Sequence, residues 1–257
     1  NQIHGYKYIY ISEWLSKNFS NDKISFIPLI TEVQKNRQNL KKTLKIKNKD
    51  IVFGCYGGES SFDLKFVQFA IAEIVKKRKD IVFIFLNIKK FIQHKRIKFL
   101  KGTLNETYKK KFINSCDAMI YGRSLGESFG LSCGEFAIEN KRIISYKYNR
   151  HRSHNYNIPS KYFIEYSSFD SLLNIINNFE KKPFKYKNLY KSYSKKKVIK
   201  DFQNIFLKKE QIIKLSLFDY MKNYLSFMRM NYYYLRHKLY VHYFNYFEKP
   251  FKKQNIR

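Results

Sequence analysis

Apolar residues along this chain follow two alternating patterns. Short continuous runs occur at Ile51-Val-Phe53, Ile81 to Leu86 and Ala118-Met-Ile-Tyr121, and Arg96 to Leu100 and Arg142 to Tyr146 read as strands too. Runs of that length, rich in β-branched and aromatic side chains, predict strands buried on both faces. Between them apolar residues return at helical spacing. Phe62, Phe66, Phe69, Ala70 and Ile74 predict a helix over 62–77, and 105–115, 129–140 and 168–179 read as helices too. Nearer the front, Tyr6 to Ile11 is apolar, Ser12-Glu13-Trp14-Leu15 looks like a helix start, and Lys23 to Ile27 is a short strand candidate ending at Pro28. Residues 29–49 are polar, with helical spacing around Leu40 and Leu44, and a last strand is expected at 162–165. Strands alternating with helices predict an α/β fold, a parallel sheet with helices on both faces. Residues 195–207 and most of the chain beyond Glu210 read as helix, a C-terminal helical extension.

Composition narrows the class. The 257 residues suffice for one large domain or two small ones, and a hydrophobic content of 44% suffices for a packed core. No run approaches the ~18 consecutive apolar residues of a membrane span. The first residues show no secretory signal pattern, and the start at Asn1 suggests a piece of something longer. Cys55, Cys116 and Cys133 are scattered and odd in number, which fits neither a disulfide framework nor a zinc site. A reducing, cytoplasmic compartment is the simplest expectation.

Charge changes the picture more. A formal net charge of +31 favours nucleic acid, an anionic membrane surface or an anionic substrate. Part of it is the Lys-rich, Gly-poor composition expected of an AT-rich genome. The excess is nevertheless concentrated: the 77 residues from Lys181 to Arg257 carry 20 Lys/Arg against 4 Asp/Glu, a net +16.

Candidate chemistry gathers between Asp117 and Tyr146. A buried strand feeds a polar, glycine-bearing loop from Gly122 to Ser128, and a helix begins at about Phe129-Gly130-Leu131. Exposed amides and the positive end of a helix dipole at such a turn bind phosphate. Glu127 and Glu135 bracket the turn with seven residues between them. Eight helical steps separate them by roughly 12 Å, beyond the roughly 5 to 9.5 Å of paired glycosidase carboxylates. Two carboxylates gripping different parts of one extended ligand, each accepting from a sugar diol, is the natural reading. The plain alternative is a pair of solvated helix glutamates.

Glu127-Ser-Phe-Gly-Leu-Ser-Cys-Gly-Glu135 resembles the E-x7-E motif of retaining GT-B glycosyltransferases, and the wider string from Asp117 to Ile144 resembles the family-4-type branch, the glycosyl transferases group 1. The resemblance implies a Rossmann-like sheet, the C-terminal nucleotide-sugar-binding half of a GT-B fold. It implies that Glu135 holds the donor's ribose and that Glu127 contacts donor-sugar hydroxyls as the catalytic residue. Ser128 joins the donor-binding set, the amides near Phe129, Gly130 and Leu131 meet the diphosphate, and Arg123 neutralises phosphate charge.

A second loop, Gly54 to Ser61, carries Gly57-Gly58 between a strand and a helix. By itself it reads as a tight turn or as a close backbone approach to phosphate. Within the resemblance, Gly54 to Gly58 and Ser61-Phe62-Asp63 look like the family's glycine-rich donor loop. Cys55 stands where that loop commonly carries an arginine, which removes one phosphate cation and leaves Arg123 and Lys65 as substitutes. The family's N-terminal acceptor domain, with its frequent histidine, is missing here; His4 reads as a linker residue. His151 and His154 lack a nearby Cys or carboxylate to complete a metal site, and no Asp-x-Asp occurs, so no metal and no cofactor beyond the nucleotide-sugar substrate is expected.

The division expected is 1–49 as interdomain segment and linker helices, 50–182 as donor-binding domain, and 183–257 as basic aromatic helical tail. The function expected is hexose transfer from a nucleotide-diphosphate-sugar to a hydroxyl acceptor on a glycan or lipid-linked saccharide. The alternative is a non-catalytic, degenerate nucleotide-sugar-binding domain or a basic nucleic-acid-binding protein. Basic residues interleaved with aromatics over 210–253 suit an anionic membrane surface, plain core packing or, less well, nucleic acid. The first would make the protein peripheral at the cytoplasmic membrane face.

Overall fold

A computed structural model of the protein describes residues 8–182, 185–207 and 215–247. Its centre is a six-stranded, all-parallel sheet. The strands are β1 (Ile51–Tyr56), β2 (Ile81–Leu86), β3 (Ile97–Leu100), β4 (Ala118–Tyr121), β6 (Arg142–Tyr146) and β8 (Phe163–Tyr166), in spatial order β3-β2-β1-β4-β6-β8. All of β2 and β4 is buried. That explains why these strands read as unbroken apolar runs: helices cover both faces of such a sheet. The helices are α1 (Glu13–Ser20), α2 (Lys65–Lys77), α3 (Glu106–Ser115), α4 (Leu131–Ile138), α5 (Ser153–Tyr156), α6 (Phe169–Asn177), α7 (Lys195–Phe206) and α8 (Leu217–Phe247). A separate two-stranded parallel ribbon pairs β5 (Gly126–Glu127) with β7 (His151–Arg152).

Strand order reverses between β1 and β4. The chain leaves β1 towards β2 and leaves β4 towards β6, so right-handed crossovers place α2 and α4 on opposite faces. The loops after β1 and β4 therefore diverge and open a crevice at the strands' carboxyl ends.

Several boundaries differ from expectation. The 62–77 helix starts at Lys65, because Phe62 turns into the core against Phe85 and Phe91. Gly54 and Cys55 lie inside β1 and not in the following loop. Gly54 is a packing glycine: a Cβ there would sit 2.3 Å from Cys116 Sγ. The strand at 23–27 is reduced to one bridge between Tyr10 and Phe26. Around Leu40 and Leu44 there is a single turn, with the Leu44 amide donating to Leu40 O and left-handed Lys45 (φ 54°) ending it. The 129–140 helix closes earlier, and left-handed Asn140 (φ 56°) follows it. The 168–179 helix also closes earlier, at Asn177, with Ser168 as its N-cap. His4, Tyr6 and the ends of the 210–253 tail region lie outside the described residues.

Candidate functional site

The two loops at the switch point are clasped together. Asp63, in the loop after β1, accepts hydrogen bonds at 2.7 Å from both the amide and the hydroxyl of Ser124, in the loop after β4. The Leu64 amide donates to Gly122 O at 3.1 Å. The second loop is held from below, where the Asn149 amide group donates to Arg123 O at 2.6 Å.

Two left-handed glycines shape that second loop. Gly126 has φ +76°, and a Cβ on it would lie 2.0 Å from His151 O in the ribbon. Gly130 has φ +85° and is the N-cap of α4. Between them the chain is pinned by its carbonyls: Ser12 Oγ donates to Ser128 O and the Tyr190 hydroxyl to Phe129 O, each at 2.6 Å. Phe129 itself is buried, with Tyr190 against its ring. Among the described residues no side chain caps the start of α4 or accepts from the amides of its first turn, and the backbone dipole adds partial positive charge there.

The two carboxylates sit in separate hydrogen-bond shells. Glu127 Oε1 accepts from the Tyr121 hydroxyl at 2.7 Å and pairs with Arg123 at 3.2 Å. Burial, reinforced by the Glu127 charge, raises the Tyr121 phenol far above its ordinary range, so it stays a donor. Glu135 lies on α4 with its side chain only 5% exposed. Its carboxylate pairs with Lys109 of α3 at 2.9 Å and accepts from the hydroxyl of Tyr56, the last residue of β1. Burial pushes the Glu135 carboxyl up to about 8. The Lys109 ammonium pulls the other way, since an adjacent opposite charge favours the ionised form. Among the described residues the two glutamates share no hydrogen-bond or ion-pair partner.

Most of the residues singled out from the sequence meet at this place. Glu127, Arg123, Ser128, Phe129, Gly130, Leu131 and Glu135 lie on the second loop and α4, and Gly57 and Gly58 lie on the first loop. Gly57 O accepts from Asn87 at 2.8 Å, and a Cβ on Gly58 would meet open space. Arg123 turns to Glu127. Lys65 opens α2 beyond the first loop, exposed, with Nζ 3.4 Å from Gln68 Oε1. Cys55 is 3% exposed and its thiol is pushed up by burial, so the side chain at this position packs in the core.

Sequence reasoning missed Tyr56 and Lys109, the partners of Glu135. It took Asp63 only as part of a motif and missed its clasp on Ser124. It also missed that His154 is a fully buried wall of the site, with Nε2 3.1 Å from Ser145 Oγ and its ring beside Tyr121. Burial lowers the His154 pKa to about 3. Among the described residues no group of three or more His, Cys, Asp or Glu is placed to hold a metal ion. Asp117 and Lys141, which immediately precede β4 and β6 at the other end of the sheet, help line a cavity of about 620 Å³ with Lys181, Lys182, Lys185 and Glu139.

Fold and site together define an open, doubly wound α/β domain with its loops clasped at the switch point. No protein-family model matches the chain, and no curated protein matches it. Solved structures to which it is similar include the C-terminal domain of a glycosyl transferase group 1 family protein (LpcC) from Francisella tularensis. That likeness has 13% identity and TM-score 0.43, over 58% of this chain and 84% of the other. Anabaena HepE in complex with UDP-glucose is similar at 13% identity and TM-score 0.44, over 80% of this chain and 51% of HepE. A glycosyltransferase from Rickettsia africae is similar at 12% identity and TM-score 0.48, over 91% of this chain and 63% of the other. The chain thus spans about half the length of HepE.

Proposed function

We propose that this chain is the donor-binding half of a retaining, nucleotide-sugar-dependent hexosyltransferase. One observation carries the reading: two glutamates with separate partners flank the uncapped start of α4 at the switch point. In this reading the amides near Gly130 and Leu131 receive the diphosphate, with Ser128, Phe129, Gly57 and Gly58 shaping its approach. Glu135 accepts from the ribose diol, and Glu127 contacts the donor sugar. Lys109, Arg123 and Lys65 supply cations around the phosphates. Residues 50–182 form the donor domain, 1–49 the interdomain segment, and 183–257 a basic tail. A second domain positions the hydroxyl acceptor, since holding both reactants supplies much of the catalytic effect. The acceptor belongs to a cell-surface glycan or lipid-linked saccharide, and the protein works at the cytoplasmic membrane face.

A second reading, a nucleotide-sugar-binding domain without turnover, is favoured by Cys55, which is buried inside β1 and leaves no cation at that position before the first loop. Isothermal titration with UDP, GDP and UDP-glucose tests binding. The proposal expects one nucleotide to bind and Glu135→Ala to weaken it at least about tenfold, the loss of roughly 1.4 kcal/mol. Absent nucleotide binding, together with tight binding to heparin or DNA, would instead support a basic polyanion-binding protein.

A further inference from the structure

The long helix α8 turns a partly polar stripe to the body. Its inner stripe steps by four and three residues through Asp219, Asn223, Ser226, Met230, Tyr233 and His237, all buried or half-buried. Four of those six residues, Asp219, Asn223, Ser226 and His237, are small or polar. Asp219 is buried in an ion pair with Lys23 and accepts from Asn21 at 3.2 Å. The helix lies along α1 at one end. At the other, Phe244 packs between Phe66 and Phe69, and Tyr240 accepts from the Phe169 amide at 2.7 Å.

The opposite stripe is apolar and bare. Met221, Leu225, Met228, Tyr232, Leu235 and Leu239 follow the same four–three stepping, and each is at least 50% exposed. They run along a helix of 31 residues, about 46 Å long at 1.5 Å per residue. A soluble helix normally turns such a stripe to the core.

Charge tells what fits there. Lys222, Arg229 and Arg236, each seven residues from the next, form a row along one flank of the stripe. Their hydrogen bonds go to neutral groups: Asn21 Oδ1, Asn18 Oδ1 and the Tyr148 hydroxyl. Asp219 is the only carboxylate between 217 and 247, and it faces inward. A second copy of the chain docked on the same stripe would bring cations with no carboxylates to meet them, so no charge pair would fix its register. No helix among the described residues is long and apolar enough to cross a bilayer. A long helix with an apolar stripe, a basic flank and many tyrosines lies in the plane of an anionic membrane surface.

We infer that α8 is a membrane-surface helix, with Met221 to Leu239 entering the headgroup boundary of an anionic leaflet and Lys222, Arg229 and Arg236 meeting lipid phosphates. This surface is independent of the donor-site reading, and either can fail without the other.

Co-sedimentation of the full chain with vesicles tests it. Binding to phosphatidylcholine doped with phosphatidylglycerol is expected to exceed binding to pure phosphatidylcholine by about tenfold or more, because each cation near the surface adds to the attraction. Changing Lys222, Arg229 and Arg236 together to Gln should erase that preference. Met228→Glu with Leu235→Glu should abolish binding to both vesicles while circular dichroism stays unchanged. If the glutamates disturb folding, serine at the same two positions serves the same purpose. Equal binding to neutral and anionic vesicles, or wild-type binding by these variants, would overturn the inference. So would a concentration-dependent dimer that the same substitutions dissolve, which would assign the stripe to a second copy.

Discussion

The sheet and α8 use hydrophobicity in opposite ways. In β1, β2 and β4 the apolar residues are inside, and the polar work is done where the strands end. In α8 the inward stripe is partly polar, and a continuous apolar stripe faces out. The contrast teaches that burial in this molecule follows position and not residue type alone. Phe53 is fully buried because β1 runs through the middle of the sheet. Leu235 is 56% exposed because the stripe it belongs to has nothing of this chain against it among the described residues.

The sharpest break of that comparison is a pair of truncations. Phe53 stacks on Phe83 and meets Phe179 edge-on. Phe53→Ala should cost about 3–5 kcal/mol in urea unfolding, a lost ring plus a cavity. Leu235→Ala should stay within about 0.5 kcal/mol, as exposed positions do. Similar costs at the two sites would mean that α8 is packed in solution.

The next effect separates the site wall from the tail by pH. His154 is buried and neutral, with its folded pKa lowered to about 3 from the usual 6.5. A depressed histidine contributes stability that is fully present above pH 6.5 and is lost as pH falls towards 3. At pH 5 the loss should be roughly 2 kcal/mol, 1.5 pH units at about 1.36 kcal/mol each. His154→Asn should flatten that part of the acid limb, whatever its effect at neutral pH. An unchanged acid limb would contradict the buried neutral histidine.

Much of the sheet was legible in the sequence. The strands at 81–86 and 118–121 fall where continuous apolar runs placed them, because strands buried on both faces need such runs. Helix starts were legible where a side chain caps them: Ser12 accepts from the Leu15 amide, Asn105 from Tyr108 and Ser168 from Ser171. The E-x7-E residues and the glycine turn marked the second loop, since a short local motif carries its own geometry. What stayed hidden depends on distant packing. Nothing local tells that Lys109 of α3 reaches Glu135, or that Asp63 clasps Ser124 across 61 residues. The helical spacing at Leu40 and Leu44 gave only one turn, because Lys45 takes left-handed backbone (φ 54°) directly after it. In α8 both stripes repeat with the same period, so periodicity alone did not say which one faces the body.

Under the proposed function, a nucleotide's diphosphate docks at the start of α4. Amide chemical shifts of the labelled chain, followed while UDP is added, test it directly. Leu131, Ser132 and Gly130 are expected to shift most and saturably, and the response to disappear in Glu135→Ala. Shifts confined to Lys141, Lys181 and Lys182 around the cavity at the opposite strand ends, with the α4 amides unmoved, would contradict it.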